Sequence, residues 1–253
     1  ARRNRTAPPL EECDPLKFAM EDKKYLEARK RLSDTYGKRE LWSVADHWPL
    51  YCGTANLGRF MAISDLLREA LEIPGHVAEF GSWRGANLLF LAKLLRIYDS
   101  HGSKQVHCFD SFEGLTTFTS EDGAAADEKG EYSGSLNELT DMIDLHELQD
   151  DITIHKGLIQ DTLPRFIDEN PGVMMSFIYC DTDLFEPTKL ILENMHDRLV
   201  AGGLFVLDQW SHERWPGESL AVQEFLSDPK HQYKMRHVRN ARQPTLILEK
   251  LQT

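Results

Sequence analysis

From His76 onward the chain alternates short apolar runs with amphipathic stretches, and this alternation constrains the fold more than any other feature. The runs Val77–Phe80, Val106–Phe109, Ile152–His155, Met174–Cys180 and Leu204–Leu207 are largely apolar, as strands buried on both faces must be. Between them Ala86–Tyr98, Leu136–Asp144, Leu163–Asn170 and Pro187–Leu199 carry helical periodicity. Strand–helix alternation of this kind predicts an α/β chain: a Rossmann-like, mostly parallel sheet with helices on both faces. Two further strands, Met235–Val238 and Thr245–Leu248, follow a helix around Ser219–Ser227 with no crossover helix between them. They predict an antiparallel edge hairpin at the C-terminus and a sheet of seven strands.

The N-terminal third carries no strand signal. Residues 1–13 read as a flexible tail, followed by a polar helix from about Asp14 to Asp34. An irregular aromatic segment runs through Trp42, Trp48, Pro49 and Tyr51. A second helix is expected over Leu57–Leu71, with Phe60, Ile63, Leu66, Leu67 and Ala70 on one stripe. Residues 1–75 thus read as a tail and helical cap on residues 76–253, not as a separate domain. The stretch Glu113–Ser135 is too long for an ordinary connection, which points to a lid over a ligand site or a mobile insertion.

Charge narrows the ligand. The formal net charge of −12 over 253 residues disfavours phosphate-backbone binding and anionic membranes, so the expected partner is a small molecule. No apolar run approaches the ~18–20 residues of a membrane helix. The basic start, Arg2, Arg3 and Arg5, is followed by no apolar stretch that would make it a signal peptide, so the expected compartment is the cytoplasm. Cys13, Cys52, Cys108 and Cys180 lack CxxC spacing and read as structural free thiols, Cys108 and Cys180 inside the apolar runs.

The first strand leads into Glu79-Phe80-Gly81-Ser82-Trp83-Arg84-Gly85. Ligands of open parallel sheets bind at the carboxyl ends of strands, where glycines let the backbone approach. Dinucleotide sites use Gly-x-Gly-x-x-Gly, but here Trp83 stands where the middle glycine would admit a pyrophosphate. Glu79 would repel a pyrophosphate and attract the ammonium of a methionine moiety. The turn therefore suits S-adenosylmethionine, which has no phosphate. Asp110, ending the second strand before Ser111, is placed for the ribose hydroxyls.

The fourth strand ends Asp181-Thr182-Asp183 and the fifth ends Asp208-Gln209-Trp210. Carboxylates at i and i+2 on one strand tip share a face, so Asp181, Asp183, Asp208 and Gln209 should converge. Oxygen ligands suit Mg²⁺, here Asp181, Asp208 and Gln209. Asp183 could instead cap the following helix. For methyl transfer the acceptor hydroxyl must lose its proton. Asp183 is the first candidate base and His212 the second, beside Asp181 in the catalytic group. Trp210 and Trp215 would either shape an acceptor pocket or pack the core.

The ordered series Trp48-Pro49-Leu50-Tyr51, Val77–Gly85, Phe109-Asp110-Ser111-Phe112-Glu113-Gly114-Leu115, Asp161-Thr162-Leu163-Pro164, Asp181–Thr188, Gly202–Trp210 and Trp215-Pro216-Gly217-Glu218 resembles the macrocin O-methyltransferase (TylF-type) family over residues 48–228. That resemblance implies O-methylation of a sugar, such as a deoxysugar of an antibiotic, with S-adenosylhomocysteine as product. It also implies Mg²⁺ and a homo-oligomer. By its motifs the cofactor site takes Arg59 (on the cofactor carboxylate), Glu79, Gly81, Ser82, Trp83, Arg84, Gly85, Asp110, Ser111, Phe112 and Asp181. Asp181 and Asp208 would hold the metal, with Asp183 as base. The family commonly has a second acid where this chain has Gln209, which weakens the expected metal site. Competing readings are metal-assisted methylation of a phenol or catechol, a nicotinamide-dependent oxidoreductase, and a non-catalytic nucleoside-binding protein.

Overall fold

A computed structural model describes residues 19–38 and 41–252. The expected tail and Cys13 lie outside the described residues. The elements run α1 (Ala19–Tyr36), α2 (Leu41–Asp46), α3 (Trp48–Tyr51), α4 (Thr54–Leu71), β1 (His76–Phe80), α5 (Ala86–Tyr98) and β2 (Val106–Asp110). A 3-10 segment (Ser120–Glu128) precedes α6 (Leu136–Leu145), β3 (Ile152–Lys156), α7 (Ile159–Glu169) and β4 (Met175–Cys180). The chain continues with α8 (Phe185–Met195), β5 (Leu199–Leu207), α9 (Pro216–Ser227), β6 (Tyr233–His237) and β7 (Leu246–Lys250).

The strands form one sheet in the order β3-β2-β1-β4-β5-β7-β6. The first five are parallel, and β7 pairs antiparallel with both β5 and β6. The order reverses between β1 and β4, so their carboxyl ends open the crevice where doubly wound sheets take their ligands. Every residue of β4 is buried, as a central strand covered on both faces requires. On one face α4 and α5 bring Ile63, Leu67, Leu88 and Leu91 against Val77, Val106 and Val206. On the other, α7, α8 and α9 bring Leu163, Ile191, Leu192 and Val222 against Ala78, Ile178 and Phe205. Ile63 and Leu67 are fully buried, worth roughly 2 kcal/mol each in transfer free energy, so α4 shares its core with the sheet.

Three elements depart from expectation. The aromatic segment is helical, with Pro49 in the first turn of α3, where a missing N–H costs nothing. Helix α7 begins at Ile159, earlier than Leu163, and runs through Pro164; burial of Thr162, Leu163 and Phe166 offsets the lost backbone bond. The Glu113–Ser135 stretch contains the 3-10 segment Ser120–Glu128, opened by a capping box between Thr119 and Asp122. Cys108 and Cys180 are free and buried, as read from their apolar runs, and Cys52 is free and half-buried. No described helix is long and apolar enough to cross a membrane.

Candidate active site

A cavity of about 750 Å³ opens at the tips of β1, β2, β3, β4 and β5. Its floor is the turn after β1. Gly81 has φ +81, and a Cβ there would stand 2.0 Å from the Asp181 carbonyl oxygen, so only glycine fits between the two strand tips. Asp110 organises this turn: its Oδ2 accepts from the backbone N–H of Ser82 at 2.6 Å and of Trp83 at 2.8 Å, and its Oδ1 from Phe112 N–H at 2.6 Å. Trp83 is thereby held at φ 49 with its ring half in solvent.

Of the cofactor residues expected from sequence, Arg59, Gly81, Ser82, Trp83, Arg84, Asp110, Ser111 and Asp181 line the cavity. Glu79, Gly85 and Phe112 do not. Glu79 is buried behind the turn, where its carboxylate accepts from Ser82 Oγ and, at 2.7 Å, from Asn87 Nδ2. Burial pushes its pKa up to about 8, against those hydrogen bonds. The group that Glu79 presents to the cavity is Asn87, whose Oδ1 is buried without a partner. Gly85 serves packing: a Cβ there would meet Leu139 Cδ1 at 2.3 Å. The Phe112 ring belongs to the hydrophobic core.

The acids gather as expected. Asp181, Asp183, Asp208 and Gln209 all line the cavity. Their partner is Arg59 from α4. Its Nη2 donates to Asp181 Oδ2 at 2.9 Å and its Nη1 to Asp208 Oδ2 at 3.3 Å. The second Asp208 oxygen accepts from the Tyr179 hydroxyl. Burial works against the Arg59 charge, but Tyr179, Asp208 and Asp181 more than offset it and hold the guanidinium protonated. Burial raises the Asp208 carboxyl, and the Asp181 charge adds to that while Arg59 opposes it. Arg59, expected at the cofactor, lines the cavity and lies between two acids. The expected Mg²⁺ ligands Asp181, Asp208 and Gln209 therefore do not fit that ion as arranged. The Arg59 cation already stands between the two carboxylates, Asp208 also accepts from Tyr179, and the third donor is an uncharged amide. Among the described residues no group of three His, Cys, Asp or Glu is placed to hold a metal.

Asp183 differs from its neighbours. It has φ 61, and its Oδ1 is buried with no hydrogen-bond partner among the described residues. Burial, helped by the Asp181 charge, pushes its pKa up to about 7, with the Gln209 side chain opposing. Gln209 Oε1 is likewise buried and unpartnered. Both residues line the cavity, and each keeps one buried acceptor without a partner among the described residues. The Gln209 backbone N–H donates to Glu218 at 2.8 Å, a carboxyl that burial and then Asp208 raise well above its usual range.

Two expected residues fall outside. His212 is exposed and does not line the cavity, because the chain after β5 turns outward and only its backbone bonds Gln209. Trp210 packs against the core under α8 and α9. Trp215 does line the cavity, although it is 5% exposed, and joins a row of rings: Trp83 to Tyr132 at 5.7 Å and Tyr132 to Trp215 at 6.5 Å. Sequence reasoning missed Tyr132, Asn87, Glu218 and the β3 tip at Gly157–Gln160. The strand-tip rule, applied to β3 as it was to β2, would have found the last.

A doubly wound sheet with acids at its switch point and no phosphate-binding glycine pattern defines the Rossmann-like methyltransferase class. The fold resembles that of the calicheamicin methyltransferase CalS11 (TM-score 0.73, 23% identity, 97% of both chains). It also resembles that of the O-methyltransferase NovP (TM-score 0.64, 21% identity, 78% of this chain and 80% of that one). The sequence profile of the macrocin O-methyltransferase (TylF) family matches residues 2–241, and the chain belongs to that family. It is 30% identical over 148 residues to a tetracenomycin-C 4'-O-methyltransferase of Streptomyces olivaceus that acts on a dimethoxy-rhamnosyl derivative, covering 55% of this chain and 54% of that one. It is 27% identical over 206 residues to the demethyldecarbamoylnovobiocin O-methyltransferase of Streptomyces niveus, covering 75% and 74%. It is 26% identical to the mycinamicin III 3''-O-methyltransferase of Micromonospora griseorubida, covering 54% and 56%. The chain thus spans about half the length of the tetracenomycin and mycinamicin enzymes.

Proposed function

We propose that this protein transfers a methyl group from S-adenosylmethionine to a hydroxyl of a sugar carried by a small-molecule glycoside, with Asp183 as general base and without a protein-held metal. The observation that carries the reading is Asp183, which lines the cavity floored by the Gly81 turn and whose Oδ1 is buried without a hydrogen-bond partner among the described residues.

The residues present fit the cofactor. Asp110 and Ser111 would take the ribose, the Gly157–Gln160 tip the adenine, and Asn87 Oδ1 the methionine ammonium, with Glu79 behind it. When bound, the cofactor supplies an electrophilic methyl on a sulfonium, which departs as a neutral thioether. Among the described residues the turn amides of Ser82 and Trp83 are taken by Asp110, and the lining arginines stand beside carboxylates, Arg59 as above and Arg84 with Glu138 at 3.6 Å. That speaks against a nicotinamide dinucleotide.

The chain's own work is proton handling and alignment. Asp183 Oδ1 accepts the acceptor hydroxyl's proton as the new C–O bond forms. Gln209 Oε1, beside it, accepts from a neighbouring sugar hydroxyl and so orients the ring. Arg59 holds Asp181 and Asp208 in place, the part a divalent cation would otherwise play. Trp83, Tyr132 and Trp215 offer faces to the apolar side of a pyranose.

We infer further that the protein works in the cytoplasm as a homo-oligomer, which the family resemblance supports, and the charge of −12 argues for a small-molecule partner over nucleic acid. The test is transfer of labelled methyl to an aryl rhamnoside, TDP-rhamnose and catechol in parallel. Transfer to a rhamnosyl acceptor supports the reading, and transfer to catechol alone would replace it.

A further inference from the structure

The insertion between β2 and α6 does not hang free; one carboxylate pins it to the segment that bears Asp183. Asp122 is 1% exposed. Its Oδ2 accepts from Thr119 N–H at 2.8 Å and from Thr119 Oγ1 at 3.1 Å, which closes the local turn. Its Oδ1 reaches across 63 residues to accept from Phe185 N–H at 2.8 Å. Phe185 opens α8, and the residue before it, Leu184, has no side chain able to cap. The first amide of α8 is buried and has no acceptor within its own helix, so Asp122 supplies one from outside.

The contact is built in from a third side. Gly217, at the start of α9, lies so close that a Cβ there would stand 2.1 Å from Asp122 Oδ1 and 2.6 Å from Phe185 N. Leu115 and Phe118 of the insertion pack on Leu184 and Trp215. Glu128 forms an ion pair with Arg214.

What the pin secures is a strained residue. Asp183, two positions before Phe185, sits at φ 61, a conformation that costs a non-glycine residue on the order of 1 kcal/mol and persists where the surroundings dictate it. On its near side Leu184 N–H bonds Thr182 O at 2.6 Å; on its far side stands the Asp122 bond to Phe185.

We propose that Asp122 is a positioning residue for methyl transfer: by capping α8 from the insertion it fixes the backbone that aims Asp183 into the cavity. The proposal rests on Asp183 being the base. Asp122 itself does not line the cavity.

The test compares Asp122→Ala, Asp122→Asn and Asp183→Asn, each alone and Asp122→Ala combined with Asp183→Asn. Readouts are kcat, acceptor KM and the affinity for S-adenosylhomocysteine by calorimetry. Asp122→Ala should lower kcat by roughly 10–100-fold, the scale of a misplaced catalytic group, with S-adenosylhomocysteine affinity within about twofold of the parent. Asp122→Asn keeps an oxygen for Phe185 N–H but turns an NH2 towards Thr119 N–H, so it should recover only part of that loss. In the Asp183→Asn background Asp122→Ala should cost nothing further. Unchanged kcat in Asp122→Ala, an equal loss in the Asp183→Asn background, or a parallel fall in product affinity would each overturn the proposal. Parental kcat in Asp183→Asn alone would instead remove the base assignment beneath it. If Asp122→Ala does not fold, Gly217→Ala breaks the same contact from the opposite side, and unchanged kcat there overturns it equally.

Discussion

At the scale of single residues the site turns on two side chains with opposite tasks. Asp183, the proposed base, must be ionised to accept a proton, yet burial and Asp181 push its pKa up to about 7. Below that value the folded protein carries it protonated, so kcat should fall about tenfold per pH unit below 7 and level off above, as read from a pH–rate profile. Asp183→Asn should lower kcat by about 10²–10⁴-fold. The same raised pKa has a stability consequence. A carboxyl whose folded pKa exceeds its unfolded one stabilises the fold in acid, and that contribution is lost as pH rises towards 7. Asp183→Asn should therefore raise the melting temperature at pH 8 and leave it nearly unchanged at pH 4, by calorimetric scan. Arg59 has the converse task. Arg59→Met strips the buried Asp208 of its cation and should cost about 3–5 kcal/mol in denaturant unfolding. Chelator should leave turnover at its full rate, and Mn²⁺ titration should find no site lost on Asp208→Asn. Gly81, Asp110 and the acids were legible in the sequence because the strand-tip rule assigns them without knowledge of packing. Arg59 entered through the family resemblance, but its ion pairs were not legible: the two partners lie 122 and 149 residues away. Trp210 and Trp215 are separated only by which wall each ring meets, and that is a tertiary fact.

At the scale of elements the strands were the most legible part, since two-sided burial writes itself as continuous apolar runs. Their connections were less so. The insertion reads as polar and loose because its anchoring residue, Asp122, is an acid whose acceptor role depends on an amide 63 residues on. Helix α8 begins at Phe185, ahead of the expected Pro187, for the same reason: its cap comes from elsewhere in the chain. The docked insertion makes a prediction of its own. Limited proteolysis should leave residues 113–135 intact in the parent and cut them faster in Asp122→Ala. In the β1 turn, Gly81→Ala places a methyl 2.0 Å from the Asp181 carbonyl at a φ of +81. It should abolish S-adenosylhomocysteine binding and destabilise the fold by more than about 1 kcal/mol, measured by calorimetry and denaturant unfolding.

At the scale of the whole molecule, strand order does the organising. Reversal between β1 and β4 brings the Gly81 turn from one half of the sheet against carboxylates from the other, and α4 reaches the acids with one guanidinium. The formal charge of −12 weighs against a phosphate backbone as partner and fits the small-molecule acceptor proposed above. The most direct measurement is a calorimetric titration of the folded protein with S-adenosylhomocysteine, run on the parent, Asp183→Asn and Gly81→Ala. Saturable heat in the first two and none in the third is the predicted result; a folded parent that gives no heat contradicts it.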